Sequence, residues 1–86
     1  MYYFYIFRCK DKTLYSGMTK DLKRREAEHN SGKGSAYVRS RGGGKIIYHE
    51  KFRTLSKALK REIQVKKLSK LKKLELIKLI QGESLA

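Results

Sequence analysis

Residues 2–9 read YYFYIFRC, and this stretch decides the fold. Its aromatic and apolar side chains fall on both alternating faces, which favours a strand that is covered on both sides within a sheet. Residues 10–12 then form a polar turn and residues 13–18 a second strand, so the two strands make a hairpin. Because the turn has an odd residue count, odd positions pair with odd positions. The residues expected on one face are Tyr3, Tyr5, Phe7, Tyr15 and Gly17. Gly17 is expected to leave room for a substrate beside Tyr5.

A helix follows the hairpin. Residues 20–29 are expected to be helical, because Thr19 can cap this helix and Asp21 lies favourably in its first turn. Residues 36–41 are ambiguous and fit a short helical turn. The helix therefore separates the hairpin from the next extended segment.

The third strand is expected at residues 45–52. Within it, Ile46, Tyr48 and Glu50 are expected to alternate with Ile47 and His49 in the period of two that is typical of a strand. A sheet of three strands is the consequence.

Two further helices are expected after this strand. Ser56 can cap one that runs to about residue 68, and Ser69 can start another that ends near Gly82. The predicted fold is α+β: a small three-stranded antiparallel sheet flanked by helices, in the order β-β-α-β-α-α.

Length and composition limit what the chain can be. Its 86 residues predict one domain, residues 1–86, for which a monomer is favoured. No apolar run reaches about 18 residues, so no membrane span is expected. Cys9 is the single cysteine and cannot form an internal disulfide, which fits a reducing cytoplasm.

The charge balance indicates a polyanionic partner. Lys and Arg number 22 against 8 Asp and Glu, which gives a net charge of +14 spread along the chain. A basic folded surface attracts phosphate polymers, and counterion release drives the binding. A nucleic acid, DNA or RNA, is such a polymer. A solvated basic surface without a partner is the other interpretation, and self-repulsion in so small a body weighs against it.

Glu62 is the carboxylate that the helical pattern singles out. An apolar arc of its helix is formed by Leu55, Ala58, Leu59, Ile63 and Val65. Glu62 falls inside this arc, and a buried carboxylate needs a partner. One candidate is an ion pair with Lys66, four residues on. The other is a divalent cation such as Mg²⁺, which accepts one protein carboxylate together with waters and a substrate phosphate.

The first helix directs further polar residues toward the sheet. Leu22, Arg25 and His29 recur at helical spacing, and Leu22 should anchor this face to the sheet. Lys20 and Arg24 are expected to point elsewhere. An inward arginine suits bidentate phosphate binding, or else it pairs with a nearby carboxylate. His29 either complements the helix dipole or takes part in chemistry.

Hydroxyl groups on the hairpin are the remaining candidates. A tyrosine hydroxyl can order a water molecule, or act as a general base if nearby cations lower its pKa from about 10. The 6 tyrosines of this chain are equally ordinary core material with a polar tip, so each keeps both interpretations.

Taken in order, these residues resemble the GIY-YIG nuclease domain. Tyr3-Phe4-Tyr5 is similar to its first motif and Tyr15-Ser16-Gly17 to its second. Arg25 and His29 correspond to the arginine and the histidine of the family's first helix. Glu62 corresponds to the glutamate of a later helix.

The resemblance covers residues 2 to about 80 and is strongest to small stand-alone members. Some of these are similar to the N-terminal domain of the excinuclease subunit of nucleotide-excision repair, and others to structure-selective nucleases. Three positions depart from the motifs: Tyr3 replaces the first glycine, and Phe4 and Ser16 replace the two isoleucines.

The resemblance implies a metal-dependent endonuclease that hydrolyses DNA phosphodiester bonds in repair or recombination. Glu62 would bind Mg²⁺ or Mn²⁺ and so hold the scissile phosphate. Arg25 would neutralise charge on the phosphoryl oxygens. Tyr5 would deprotonate or orient the attacking water, and Tyr15 would hold that water or the phosphate. His29 would be an auxiliary acid or base.

Contacts to the nucleic-acid backbone are expected from Lys33, Arg39, Arg41 and Lys66. Two other functions compete with hydrolysis. One is a nucleic-acid-binding module that cleaves weakly or not at all. The other is a lysine-rich surface for anionic membranes at residues 66–80, which is disfavoured because its apolar residues spread too widely around the helix.

Overall fold

The computed structural model describes residues 1–81, and the side chains of residues 1–78. Its elements are β1 (Tyr2–Cys9), β2 (Leu14–Thr19), α1 (Leu22–Asn30), α2 (Ala36–Ser40), β3 (Gly44–Phe52), α3 (Leu55–Lys66) and α4 (Lys70–Gln81). The predicted α+β class and the order of the main elements are confirmed. The short α2 occupies the segment for which the sequence allows a helical turn. The predicted end of the last helix near Gly82 lies outside the described residues.

The sheet has β1 at its centre, in the order β2-β1-β3, and both pairings are antiparallel. This central position explains why β1 is apolar on both faces. In the hairpin, Tyr5 pairs with Gly17 and Phe7 pairs with Tyr15, so the predicted odd-to-odd register is confirmed. The register places Tyr3, Tyr5 and Tyr15 on one face.

The pairing of β1 with β3 contains one irregularity. Ile6 pairs with Tyr48 but Phe7 pairs with Ile46, so the register shifts between the two β1 residues. Ile46 consequently packs in the apolar cluster of Phe7, and Tyr48 in that of Ile6. The predicted alternation, with Ile46 and Tyr48 on one side, is therefore wrong. A bulge adds one residue to the strand, and a period of two does not survive that addition.

Each face of the sheet carries its own apolar cluster. The cluster beneath α1 and α2 consists of Tyr5, Phe7, Cys9 and Val38, with Tyr15, Leu22 and Ile46 packed against it. The cluster beneath α3 and α4 consists of Phe4, Ile6, Tyr48, Val65 and Ile77. Leu22 thus anchors α1 as predicted, and Ile77 packs α4 on the domain. In residues 1–81, no helix is long and apolar enough to span a bilayer.

The two helices that carry candidate site residues begin at caps other than those predicted. The Asp21 side chain caps α1 and accepts a hydrogen bond from the backbone three residues on, at 3.0 Å. Thr19 is not the cap because it still belongs to β2 and pairs with Tyr3. Thr54 caps α3 in place of Ser56, and its hydroxyl accepts a backbone N–H at 3.2 Å. Both helices therefore begin three residues after the end of the preceding strand, directly after the first side chain that can act as a cap.

The helix α3 turns a different face to the sheet than the apolar pattern predicts. Leu55, Leu59 and Ile63 are 42%, 38% and 54% exposed, whereas Ala58 and Val65 are fully buried. Two members of the predicted arc, Ala58 and Val65, do pack on the sheet. The other three face outward, so the predicted direction of the arc is wrong for them. Glu62, which falls within that arc, is consequently half-buried at the edge of the core.

Candidate active site

Tyr5 lies at the centre of the candidate site. Its side chain is 1% exposed. Its ring passes over Gly17 of β2, where a Cβ atom would come within 2.5 Å of the Tyr5 hydroxyl oxygen. The space that the sequence assigns to a substrate at Gly17 is thus filled by Tyr5 itself, and that expectation is wrong. A glycine is needed at position 17 because any larger residue would displace the hydroxyl.

His29 is buried next to this tyrosine. Its Nε2 lies 2.8 Å from the Tyr5 hydroxyl oxygen, and its ring packs on Phe7 at 4.8 Å between centroids. Burial and then the positive charge of Arg25 lower the pKa of His29 below its ordinary 6.5, which favours the neutral imidazole near pH 7. Gly34 leaves room for the ring, since a Cβ there would collide with Nδ1. His29 is therefore a buried partner of Tyr5 and more than a complement to the helix dipole.

Tyr15 extends the aromatic group toward the surface. Its ring meets His29 edge-on at 5.4 Å between centroids, and it stacks on Tyr37 of α2 at 5.6 Å. Tyr15 is half-buried and Tyr37 is exposed. The sequence assigns no role to Tyr37, because this residue lies in a segment without a clear pattern. Its aromatic side chain is the one sequence feature that could have marked it as a candidate site residue.

Arg25 faces Tyr5 and also holds a carboxylate. Its Nε lies 3.1 Å from Glu28 Oε1, so the predicted alternative of an ion pair is realised. Burial raises the pKa of Tyr5 well above its ordinary value, and the charge of Arg25 opposes this rise. The neighbouring Tyr15 and the negative charge of Glu62 raise the pKa further. The Tyr5 hydroxyl therefore lies within electrostatic range of all three groups.

Two side-chain bonds to the backbone fix α1 against β3. Glu26 Oε2 accepts the backbone N–H of Ile46 at 2.7 Å, and Asn30 Oδ1 accepts that of Gly44 at 2.8 Å. Because β3 is an edge strand, these two N–H groups would otherwise have no partner within the sheet. The two bonds hold the helix in the position that directs Arg25 to the site.

A depression of about 310 Å³ opens beside the site arginine. It is lined by Thr19, Lys20, Arg24, Arg25 and Glu28. Arg24 is 77% exposed and the Lys20 ammonium lies 5.2 Å from the centroid of the Tyr2 ring, so both point away from the sheet edge as predicted, although they also line this depression. Because α1 starts at Leu22, Lys20 stays in the corner between strand and helix and shares this surface with the arginines. Three cations here suit a phosphate group.

Glu62 approaches the site from α3. It is half-buried, and in residues 1–78 no hydrogen bond or ion pair joins it to Lys66 or to any other side chain. The ion-pair alternative is therefore not realised. One carboxylate with free oxygens beside hydroxyl groups fits Mg²⁺, which takes its other ligands from water and phosphate. In the described part of the chain, no group of three or more His, Cys, Asp or Glu could hold a metal ion.

The residue before Glu62 fixes the rotation of α3. Arg61 donates to Glu50 from Nε to Oε1 at 2.7 Å and from Nη2 to Oε2 at 2.9 Å. The Tyr48 hydroxyl donates to the same Oε2. We call Tyr48, Glu50 and Arg61 the Glu50 brace. It ties α3 to β3 because Nε and Nη2, on one edge of the guanidinium, each donate to one carboxylate oxygen. This two-bond geometry is that of a strong charge-assisted pair.

The groups of the Glu50 brace shift one another's pKa values. Burial and the hydrogen bond to Glu50 raise the pKa of Tyr48 to about 12. Burial alone would raise the pKa of Glu50, but the hydrogen bonds from Arg61 and Tyr48 outweigh it and hold that pKa below 4.5. Sequence reasoning missed the brace, because nothing local links an acid on a strand to an arginine eleven residues later.

The residues proposed to contact a nucleic-acid backbone differ in their surroundings. Lys33, Arg39 and Lys66 are exposed. Arg41 is half-buried, and its Nε lies 3.3 Å from Asp11 Oδ2 in the hairpin turn. Three of the four cations are thus accessible at the surface, and the fourth is already engaged.

Comparison with known proteins supports the resemblance seen in the motifs. The model of the GIY-YIG catalytic domain family matches residues 1–75. A UPF0213 protein of Staphylococcus saprophyticus is 46% identical over 76 residues, which is 88% of this chain and 93% of that protein. A UPF0213 protein of Syntrophus aciditrophicus is 51% identical over 77 residues, 88% of each chain.

A solved structure agrees with the fold. The solution NMR structure of a UPF0213 protein from Bacillus halodurans is similar with a TM-score of 0.59 and 41% identity, and covers 92% of this chain and 85% of that one. The family match spans well over half of the chain, and the relatives are small proteins of similar length. The chain therefore belongs to the GIY-YIG family of nuclease domains, within its small UPF0213 group.

Proposed function

We propose that this protein is a metal-dependent endonuclease that hydrolyses DNA phosphodiester bonds. The observation that carries the proposal is the setting of the Tyr5 hydroxyl, which is bonded to His29 and lies within electrostatic range of Tyr15, Arg25 and Glu62. A base, a cation and an unpaired carboxylate around one hydroxyl are the groups that phosphodiester hydrolysis requires. We further propose one domain, residues 1–86, that acts as a monomer in the cytoplasm in repair or recombination.

Tyr5 and His29 form a proton relay in this proposal. The raised pKa of Tyr5 keeps its hydroxyl protonated at rest. The neutral His29 accepts the hydroxyl proton at Nε2 while the hydroxyl oxygen accepts a proton from the attacking water. The 2.8 Å separation supports direct transfer between the two side chains.

The charged groups bind and orient the phosphate. Arg25 neutralises the charge that grows on the phosphoryl oxygens, and Lys20 and Arg24 hold the adjoining backbone in the depression that they share. Tyr15 positions the phosphate or the water by hydrogen bonding. Glu62 would hold Mg²⁺ or Mn²⁺, and the cation supplies charge stabilisation to the leaving oxygen when it is bound.

A cleavage assay tests this function. Linear, flapped and branched DNA of one sequence, with single-stranded RNA alongside, would be incubated with Mg²⁺, Mn²⁺ or EDTA. We expect products with either metal and none with EDTA. Glu62→Ala should remove cleavage and keep binding, whereas the exposed carboxylate variant Glu75→Ala should retain both. Cleavage by Glu62→Ala at the wild-type rate would refute the assignment, and binding without any cleavage by the wild type would make the protein a binding module.

A further inference from the structure

A column of three flat side chains runs outward from the candidate site. Tyr15 stacks on Tyr37 with 5.6 Å between centroids and an angle of 30° between the ring planes. The guanidinium carbon of Arg41 then lies 3.8 Å from the centroid of the Tyr37 ring. The column therefore joins a residue of the proposed active site to the surface through α2.

The column is held at both ends. At its inner end, Tyr15 belongs to β2 and packs against His29. At its outer end, Arg41 pairs with Asp11 of the hairpin turn. A planar cation fixed in this way gives up little further conformational freedom when a ligand binds on it. The column is thus organised before any ligand arrives.

Its outer part is accessible. Among the tyrosines and phenylalanines of residues 1–78, Tyr37 alone is exposed, at 37%. The Arg41 side chain is 32% exposed. An exposed aromatic ring that carries a guanidinium on its face contributes little to a core. Rings and guanidinium planes are, however, the surfaces on which proteins stack unpaired bases.

We propose that the outer face of the Arg41 guanidinium, supported from beneath by the Tyr37 ring, forms a stacking surface for an unpaired base next to the scissile phosphate. The inference rests on the proposed function, since the phosphate is the one expected at Tyr15. A base inside a duplex has both faces covered by its neighbours and cannot use this surface. The protein therefore favours single strands, flaps or splayed junctions over continuous duplex.

The test exploits the absence of tryptophan from the chain. Tyr37→Trp keeps a flat ring and introduces a single fluorescent reporter at the surface in question. Titration with a single strand in EDTA, where no cleavage occurs, should quench its emission, and a duplex of the same sequence should not. Unchanged emission at saturating single strand would overturn the proposal.

A matched series measures the contribution of stacking. Tyr37→Leu, which keeps bulk but removes the flat ring, should weaken single-strand affinity about 5- to 150-fold and leave duplex affinity unchanged. Tyr37→Phe should bind as the wild type does. Arg41→Gln should follow the leucine variant, whereas Arg39→Gln, one charge lost from the same helix, should weaken both substrates equally. Equal loss on both substrates in Tyr37→Leu would assign the ring to positioning Tyr15. Because these are binding measurements, they stand apart from whether the wild type cleaves.

Discussion

Two groups of side chains each contain a tyrosine, a glutamate and an arginine, and the two groups differ in how their carboxylates are partnered: one is the Glu50 brace, and the other is Tyr5, Arg25 and Glu62. In the Glu50 brace, every charge meets its partner: Arg61 binds both Glu50 oxygens and Tyr48 donates to one of them. Around Tyr5, Arg25 pairs with Glu28 and the Tyr5 hydroxyl is bonded to His29, but Glu62 has no bonded partner in the described residues. A carboxylate whose partners all belong to the protein stabilises the fold, whereas a carboxylate without a partner is available to a metal ion or a substrate.

The contrast is sharpest at two adjacent positions of α3. Arg61 and Glu62 are neighbours in sequence but serve the two different sets. The brace formed by Arg61 sets the rotation of the helix, and the rotation directs Glu62 to the other set. Residue type alone cannot separate these roles, because only the partners distinguish a structural acid from a catalytic one.

Replacing each glutamate by its neutral isostere should give opposite results. Glu62→Gln should lower cleavage on the order of 1,000-fold and leave the melting temperature unchanged, since the carboxylate has no protein partner to lose. Glu50→Gln should lower the melting temperature and reduce the cleavage rate of the folded fraction far less than Glu62→Gln does, because the amide oxygen can still accept a bond from Arg61 and keep the orientation of α3. The measurements are metal-dependent cleavage and thermal unfolding of both variants. The comparison fails if the two variants show the same pattern.

The two tyrosines can be compared in the same way. Tyr5→Phe removes the hydroxyl of the proposed relay and should lower cleavage on the order of 100-fold. Tyr48→Phe removes one donor to Glu50 and should cost about 1 kcal/mol of stability with little change in rate. Cleavage under single-turnover conditions and denaturant unfolding measure the two effects. A Tyr5→Phe variant as active as the wild type would exclude the relay.

The pH dependence tests the role of His29. Because its pKa lies below 6.5, the ring is neutral near pH 7 and becomes charged only as pH falls through that lowered value. Cleavage should therefore be flat near neutrality and fall about ten-fold per pH unit on the acid side. His29→Gln should lose this acid limb, while Glu50→Gln should keep it. Rates measured between about pH 5 and 8 decide the matter.

The smallest effect is the acid sensitivity of the brace. The pKa of Glu50 is depressed in the folded state below its ordinary 4.5, so its contribution to stability is present above 4.5 and is lost as pH falls through the depressed value. At pH 7, Glu50→Gln should be about 1–3 kcal/mol less stable than the wild type. That difference should shrink toward zero in acid. A difference that persists unchanged at low pH would mean that the charge of Glu50 is not what holds α3.

Much of the architecture is readable from the sequence. The strand alternation and the odd turn predict the hairpin register, and the register brings Tyr5 and Tyr15 to one face. These predictions succeed because they depend on neighbours along the chain. The family resemblance is confirmed by the family match over residues 1–75, whereas the roles assigned to individual motif residues stay predictions.

The failures concern contacts between distant segments. The face that α3 buries follows from its bond to Glu50 and from the small size of Ala58, neither of which appears in the apolar periodicity. The bond between Tyr5 and His29 likewise depends on how closely α1 is tied to β3. Each helix cap lies two residues from the predicted one, because strand pairing, and not local propensity, decides where a strand ends.

The position of Glu50 depends on the number of residues in β3 as well as on their identity. Deleting the extra residue at the bulge would leave Ile46 and Tyr48 on opposite faces, whereas deleting His49 would turn Glu50 to the face opposite Tyr48. Glu50 would then face away from Arg61, and α3 would lose its anchorage. The spacing of two residues between Tyr48 and Glu50 is therefore part of the brace, and we expect insertions or deletions between them to destabilise the fold more than single substitutions at His49 do.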